Sequence, residues 1–255
     1  MIWQPVSGCG TGCRTGGEET ASAATAVVRL VTLSAVLVMG LVLVPVLRRV
    51  ALRPVARVML ASLGVRLRWR GALPRAGTLL VANHVSWLDV VALLAVSPVR
   101  LVAKCEVRGW PGIGALAAVT GAIFVDRTRP KTLPATVAEI AGALRAGRSV
   151  AVFPEGTTYC GARRGRFRPA MFQAAVDAGA PVVPVSIAYD STAPAFVGDD
   201  TLWSSVRRVA GLRGTTVTLI GAPALRPAAG ADRRSLARAA QASVGLVPSA
   251  LVLAA

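Results

Sequence analysis

Residues 78–89 read TLLVANHVSWLD, an apolar run that passes directly into polar side chains. The first five residues predict a buried strand, and His84 and Asp89 follow its end. His84 is the only histidine among the 255 residues. An imidazole exchanges protons near neutral pH, and a carboxylate on one ring nitrogen fixes its tautomer while the other takes a proton. Taken alone, the stretch predicts a catalytic base or a structural histidine with equal weight.

Strands and helices alternate along the chain from residue 78 onward. Apolar, β-branched runs predict strands at 78–82, 100–104, 122–125, 149–153, 181–187 and 215–220. Helical spacing and end signals predict helices at 86–96, with Ser86 as N-cap, and at 110–120, 134–145, 169–178 and 232–244. The alternation predicts an α/β fold with a mostly parallel central sheet flanked by helices. In such sheets, catalytic groups collect at the carboxyl ends of the strands.

The composition points to an anionic, lipid-like partner. The chain is 54% hydrophobic and carries a net charge of +17, from 29 basic and 12 acidic residues. A high positive charge favours nucleic acid, an acidic membrane surface or a phosphorylated substrate. Aromatic residues make up only 5% of the chain, which leaves little material for stacking bases. We therefore expect an anionic membrane surface as partner and no nucleic acid.

A membrane-embedded helical segment is predicted near the N-terminus. Residues 30–47 contain no charged side chain, and as a helix they extend about 27 Å, enough for a bilayer core. Arg48, Arg49, Arg53 and Arg57 follow, so the positive-inside rule places the folded domain on the cytoplasmic side of the plasma or inner membrane. A re-entrant or surface-lying hairpin is the main alternative, and Pro45 is a candidate kink.

The predicted organisation has three parts. Residues 1–26, rich in glycine, threonine, alanine and serine, are expected to be a disordered leader. Residues 27–70 are expected to hold the membrane helix and, over 50–70, a basic amphipathic segment lying in the lipid interface. Residues 71–255 are expected to form the folded α/β domain.

The four cysteines, Cys9, Cys13, Cys105 and Cys160, are too few for a disulfide framework. Cys9 and Cys13 lie close together, but no second pair with metal-ligand spacing follows them in the sequence. We therefore expect no metal site and a reducing compartment.

Three further strands pass directly into polar residues or carry prolines. They are GAIFVDR at 121–127, FPEGTT at 153–158 and PVVPV at 181–185. Taken singly, Asp126-Arg127 is typical of a solvated turn, Glu155-Gly156 of a turn with glycine at positive φ, and Pro184 of an edge strand. Phosphate-loop, nucleophile-elbow and dinucleotide-binding motifs are absent from the sequence.

In order and spacing, these blocks resemble the glycerolipid acyltransferase superfamily, whose members include enzymes that acylate lysophosphatidic acid. Asn83-His84-x-Ser86-x-x-Asp89 is similar to the N-H-x-S-x-x-D block of that superfamily, and 121–127, 153–157 and 181–185 are similar to its next three blocks. The segment Lys104-Cys105-Glu106 before Trp110-Pro111 is similar to the stretch between the first two. The resemblance covers about residues 65–225.

The resemblance implies acyl transfer to the free hydroxyl of a lysolipid. The default acceptor is 1-acylglycerol-3-phosphate, giving phosphatidic acid. The acyl chain would come from acyl-CoA or acyl carrier protein as co-substrate, so no cofactor is expected. His84 would be the general base, Asp89 would orient it, and Arg127 would hold the acceptor phosphate. The other implied substrate-binding residues are Glu155, Gly156, Thr157, Thr158, Asn83, Ser86, Lys104 and Pro184.

Thr158 departs from the E-G-T-R reading of many lysophosphatidate acyltransferases, and a hydroxyl cannot replace a guanidinium fork. Another lysolipid, such as lyso-ornithine lipid or a lysophospholipid, is therefore an alternative acceptor. Two further classes stay open: a thioesterase that uses His84 with water, and a non-enzymatic protein that binds anionic membranes or nucleic acid. An acyl-cysteine intermediate on Cys105 or Cys160 ranks below direct attack.

Overall fold

The computed structural model describes residues 5–14, 19–47, 49–228 and 230–245. The helices are α1 Ala23–Leu47, α2 Arg49–Ser62, α3 Leu88–Val96, α4 Ile113–Val119, α5 Leu133–Arg145, α6 Phe172–Ala178, α7 Leu202–Gly211 and α8 Arg233–Gly245. The strands are β1 Val65–Arg70, β2 Leu79–Ala82, β3 Arg100–Lys104, β4 Ile123–Val125, β5 Val150–Val152, β6 Val182–Tyr189 and β7 Thr215–Gly221. Parts of the predicted leader (1–4 and 15–18), Arg48 and the end of the predicted domain (246–255) lie outside the described residues.

The seven strands form one sheet in the order β1-β7-β6-β2-β5-β3-β4. The five strands from β6 to β4 run parallel, whereas β7 is antiparallel to β6 and β1 is parallel to β7. The predicted mostly parallel sheet is thus confirmed, and each of the six predicted strands is present with small changes at its ends.

Helices cover both faces of the sheet. The side chains of a strand alternate between its two sides, so each strand contributes to the packing on both faces. In β2, Leu80 and Ala82 pack with α2, α3 and α7 on one face, and Leu79 and Val81 pack with α5, α6 and α8 on the other. All four of these side chains are at most 1% exposed. This double burial explains why β2 reads as an unbroken apolar run.

The segment 50–70, predicted as a basic amphipathic segment in the lipid interface, is divided between a helix and a strand of the folded domain. Helix α2 ends at Ser62, Gly64 turns the chain at φ +72°, and Val65–Arg70 forms strand β1, paired in register with β7. The sequence VRLRWR alternates apolar and charged residues, which is the period of a half-buried strand. The sheet of the folded domain therefore begins at Val65.

The described part of the expected disordered leader is ordered. Thr20 forms a bridge with Leu212, the N–H of Ala21 donates to the carbonyl of Gly211 at 2.8 Å, and Cys9 is only 4% exposed. These two partners lie about 190 residues further along the chain, so local composition does not reveal them.

Helix α1 is long and apolar enough to cross a membrane, and it begins at Ala23, earlier than the predicted span. It also packs against the domain as one arm of a hairpin with α2. Arg29 donates to the carbonyl of Ala210 at 3.1 Å, and Gly40 allows close approach of Val55. One face of α1 is thereby buried, while most of its valines on the opposite side stay exposed.

Candidate active site

Three of the motif blocks meet at one edge of the sheet. His84 lies two residues beyond β2, Glu155 three beyond β5, and Arg127 two beyond β4. The strands that deliver them are parallel and close together in the order β2-β5-β3-β4, so their carboxyl ends reach the same edge. The order of the strands thus brings three blocks that are distant in the sequence together at one edge of the sheet.

His84 and Asp89 form a hydrogen-bonded couple. Nδ1 of His84 lies 2.8 Å from Oδ2 of Asp89, and the two side chains are 18% and 0% exposed. Phe153 stacks on the imidazole with ring centroids 3.9 Å apart and the planes inclined by 13°. The ring is therefore held in orientation by a carboxylate and an aromatic face while it remains reachable from solvent. This is the arrangement a general base requires.

Asp89 is fixed by three donors besides His84. The N–H groups of Val85 and Ser86 donate to Oδ2 at 2.6 and 2.9 Å, and the hydroxyl of Tyr189 donates to Oδ1 at 2.5 Å. Asp89 lies in the first turn of α3, where a carboxylate interacts well with the free amides of a helix start. The N-cap position is Trp87, one residue after the predicted Ser86, but the Ser86 hydroxyl accepts the N–H of Leu88 at 3.4 Å at the start of the helix.

Glu155 ties two blocks together from a buried position. Its carboxylate accepts the N–H of His84 at 2.6 Å and the N–H of Gly165 at 2.7 Å, and the residue is 2% exposed. Burial raises the pKa of Glu155 to about 7, against the opposing effect of the two amide donors, and the nearby Asp89 adds to the increase. Glu155 thus holds the backbone of His84 and of Gly165 in place.

The raised pKa of Glu155 predicts a pH dependence of stability. The folded chain binds a proton at Glu155 more tightly than the unfolded chain, in which this glutamate has its ordinary pKa of 4.5. The stabilisation that comes from this proton is therefore full below about pH 4.5 and is lost as the pH rises to about 7. The loss amounts to about 3 kcal/mol. Urea unfolding of Glu155→Gln at several pH values should lack this component.

Glu139→Gln is the matched control for that measurement, because Glu139 is exposed and paired only at the surface with Arg100. It should keep the wild-type pH dependence. If Glu155→Gln and wild type lost stability in parallel between pH 4.5 and 8, Glu155 would not be the titrating group.

Arg127 belongs to a cationic group beside the Glu155 turn. Its guanidinium donates to the carbonyl of Gly156, and it interacts electrostatically with Arg168 and with Lys104. Desolvation lowers the pKa values of Arg127 and Lys104, and their like-charged neighbours add to this effect, whereas the carboxylate of Glu106 opposes it at both residues. Cations that crowd one another in this way favour an anionic ligand. Asp126, by contrast, serves the turn, since its carboxylate accepts from Thr128.

Four residues predicted to bind substrate make internal contacts. The amide of Asn83 pairs with the backbone N–H and carbonyl of Ile187, at 2.8 and 2.9 Å, and so fixes the end of β2 to β6. Ser86 is fully buried, and the hydroxyl of Thr158 donates to the carbonyl of Phe196. Pro184 is buried in β6, which is an interior strand and not an edge. Thr157 is half-buried in the same turn as Thr158.

Tyr189 and Phe153 contribute to the site without having been assigned a role from the sequence. Tyr189 ends β6, two residues beyond the predicted strand, and is separated from Asp89 by 100 positions. Burial, followed by the Asp89 charge, raises the pKa of its hydroxyl well above the ordinary value, so it remains a donor. Phe153 begins the FPEGTT stretch at 153–158, and its aromatic ring at the end of a strand was the only sequence feature that indicated a place in the site.

The structure gives no support to an acyl-cysteine. The pKa of the Cys105 thiol is raised by desolvation and by Glu106, so the nucleophilic thiolate is disfavoured. Burial acts to raise the pKa of the Cys160 thiol and hydrogen bonds lower it on balance, but the residue is only 2% exposed, so the thiol is out of reach of a substrate.

Comparison with known proteins defines the class. The Acyltransferase family matches residues 65–188. A lyso-ornithine lipid O-acyltransferase of Pseudomonas aeruginosa is 39% identical over 193 residues, which are 73% of each chain. A 1-acyl-sn-glycerol-3-phosphate acyltransferase of Neisseria meningitidis is 35% identical over 147 residues, covering 57% of this chain and 58% of that protein. The chain therefore belongs to the glycerolipid acyltransferase superfamily.

The fold has a solved counterpart. The crystal structure of the 1-acyl-sn-glycerophosphate (LPA) acyltransferase PlsC from Thermotoga maritima aligns with a TM-score of 0.59 over 86% of this chain and 94% of that one, at 19% identity. At this identity the likeness concerns the architecture alone.

Proposed function

We propose that the protein is a membrane-associated O-acyltransferase that moves an acyl chain from acyl-CoA or acyl carrier protein to the free hydroxyl of a lysolipid. His84 takes the hydroxyl proton through Nε2 as the oxygen attacks the thioester carbonyl. The tetrahedral adduct collapses, the carbon–sulfur bond breaks, and the proton passes from His84 to the leaving thiolate. The observation that carries this proposal is the His84–Asp89 couple with its partly exposed ring.

The acceptor that the charge distribution favours is 1-acylglycerol-3-phosphate. Arg127 and Arg168 lie beside Gly156 on the same edge as His84, and Lys104 interacts with Arg127. A phosphate dianion would relieve their mutual repulsion, and the planar fork of Arg127 suits phosphate oxygens.

Lyso-ornithine lipid is the second candidate acceptor. Thr158 lacks the guanidinium that many lysophosphatidate enzymes carry at this position, and its hydroxyl is engaged by the carbonyl of Phe196. Relatives from Pseudomonas aeruginosa and Rhizobium meliloti, 39% and 42% identical over the aligned residues, are named lyso-ornithine lipid O-acyltransferases.

A substitution at residue 158 distinguishes these acceptors. If the natural acceptor carries a phosphate, Thr158→Arg should raise the ratio of transfer to 1-acylglycerol-3-phosphate over lyso-ornithine lipid by about 10-fold, because a charge-assisted hydrogen bond is added. Thr132→Arg, which adds the same charge at an exposed turn, is the control and should leave the ratio unchanged. An unchanged ratio in Thr158→Arg would remove residue 158 from acceptor selection, and a lower ratio would count against a phosphate-bearing natural acceptor.

Membrane association is proposed to use the exposed face of α1. Both the Arg29 end and the Gly40 region of the helix contact the domain, which favours the hairpin alternative over a helix that leaves the domain. Most valines of α1 are exposed, and together they form an apolar surface. Single exposed apolar residues are common on soluble proteins, whereas an apolar patch marks a site of contact with lipid or protein. The arginines that follow α1 in the sequence would lie at the level of the lipid headgroups. By the positive-inside rule, the edge of the sheet that carries His84 would then face the cytoplasm.

The test is a panel of lysolipids supplied to the purified full chain with labelled acyl-CoA or acyl carrier protein. The proposal expects labelled diacyl product with 1-acylglycerol-3-phosphate or lyso-ornithine lipid. Failure of every lysolipid with both donors would reject it.

A further inference from the structure

Three of the four cysteines of the chain meet behind the catalytic turn. Cys9 and Cys13 come from the N-terminal segment, and Cys160 comes from the loop after β5. The three Sγ atoms lie within 4.8 Å of one another, and those of Cys9 and Cys160 are 3.5 Å apart. Cys9 and Cys160 are 4% and 2% exposed, and Cys13 is half-buried. Nothing in the acyl-transfer reaction uses this cluster.

We propose that these three cysteines bind a single Zn²⁺ ion as thiolates. Zinc bonds to thiolate sulfur at about 2.3 Å, so tetrahedral ligands of one ion lie about 3.8 Å apart, close to the spacing seen here. Binding displaces the three thiol protons to solvent, and a water completes the fourth position. The sequence pattern hides the site because its third ligand lies 151 residues after the first.

The backbone around the sulfurs is arranged as a thiolate site requires. The amides of Ala162 and Arg163 interact with the Cys160 thiol, and the amide of Cys160 with the Cys9 thiol, which favours the thiolate form, whereas burial opposes it at both sulfurs. Gly161, at φ +87°, makes the turn that brings the two following amides back toward Cys160. Amide donors stabilise the charged form of a sulfur.

A Cys9–Cys160 disulfide is the competing chemistry. A disulfide joins two sulfurs and gives no reason for a third thiol at the same point, whereas a metal site needs it. The sulfurs at 3.5 Å would also have to close to about 2.05 Å. The convergence of three thiols is therefore what favours the ion.

The ion would fix the N-terminal segment to the back of the active site. The cluster packs on Val85, the residue between His84 and Ser86. Tyr159, next to Cys160, donates its backbone N–H to the carbonyl of His84 at 2.8 Å. Pro5, in the same N-terminal segment, lies against Gly156. The proposed role is structural positioning, and it stands independently of which reaction the site performs.

The experiment is metal analysis of the full chain, purified in detergent under reducing conditions without chelator and with no metal added. We expect about one zinc per chain, as for structural thiolate sites. Cys13→Ser and Cys160→Ser should lower the zinc content at least about 10-fold. Cys105→Ser is the matched control and should retain it, because Cys105 lies outside the cluster.

Wild-type protein provides a second measurement should the variants fold poorly. After exchange of the metal for Co²⁺, we expect the intense visible absorption of a tetrahedral thiolate complex, and its loss on adding excess chelator. Wild-type protein with four titratable thiols and no zinc would overturn the proposal. A metal-free chain with a Cys9–Cys160 disulfide, identified by mass spectrometry of the peptides, would overturn it equally.

Discussion

Replacing His84 with alanine is expected to lower the rate of acyl transfer by about 10²–10⁴-fold, the range that general-base assistance supplies. The reason is that the imidazole is the partly exposed base next to a buried carboxylate, 2.8 Å from it. Most of the fold should remain, because the backbone N–H of residue 84 that binds Glu155 is retained. The measurement is steady-state transfer by purified, vesicle-bound protein, with the melting temperature recorded for both chains.

The His84→Ala prediction has a clear contrary outcome. A folded variant that transfers acyl chains within about twofold of the wild-type rate would rule out general-base catalysis by this residue. A variant that no longer binds vesicles would indicate lost structure instead, and the circular-dichroism spectrum separates these cases.

Replacing Asp89 with asparagine is expected to have the second largest effect, and it combines two losses. The amide has one acceptor oxygen where the carboxylate has two, so either the N–H donors of Val85 and Ser86 or the hydroxyl of Tyr189 lose their acceptor, and we expect about 3 kcal/mol of lost stability. The imidazole would also lose its orientation and the charge that balances it, so transfer should fall by about 10²-fold or more. Urea unfolding and transfer rates measure the two losses separately.

A double variant tests whether Asp89 acts through His84. Because the carboxylate contacts the ring and no reacting atom, His84→Ala with Asp89→Asn should transfer no more slowly than His84→Ala alone. Asp126→Asn is the control for loss of a carboxylate, since Asp126 contacts Thr128 and Arg129 in an exposed turn. Further loss in the double variant would give Asp89 an independent role.

The contact between His84 and Asp89 was predictable because the two residues are close in the sequence. A strand end followed by a histidine and, five positions later, a carboxylate, constrains the geometry strongly. The roles of Glu155 and Asn83 were not predictable in the same way, because each depends on a backbone partner 71 or 104 positions away. The sequence shows that these residues are polar, and only the fold shows that they support the site from behind.

Two errors at the N-terminal side have different physical origins. Strand β1 carried its signal in the alternation of Val65–Arg70, but the arginines were interpreted as a lipid-facing pattern. The leader had no local signal, because glycine-rich chain is ordered only through contacts such as those of Cys9 with Cys160 and Thr20 with Leu212.

Helix α7 is a further difference, because no helix was predicted there although Thr201 and Ser204 form a capping box at its start.

The most direct test of acyl transfer is the release of CoA thiol from acyl-CoA by purified wild-type protein, with and without a lysolipid acceptor. A base positioned for an acceptor hydroxyl predicts that thiol release depends on the lysolipid, matches diacyl product mole for mole, and disappears in His84→Ala. Thiol release at an equal rate without lysolipid, with free fatty acid as product, would contradict transfer and identify a thioesterase.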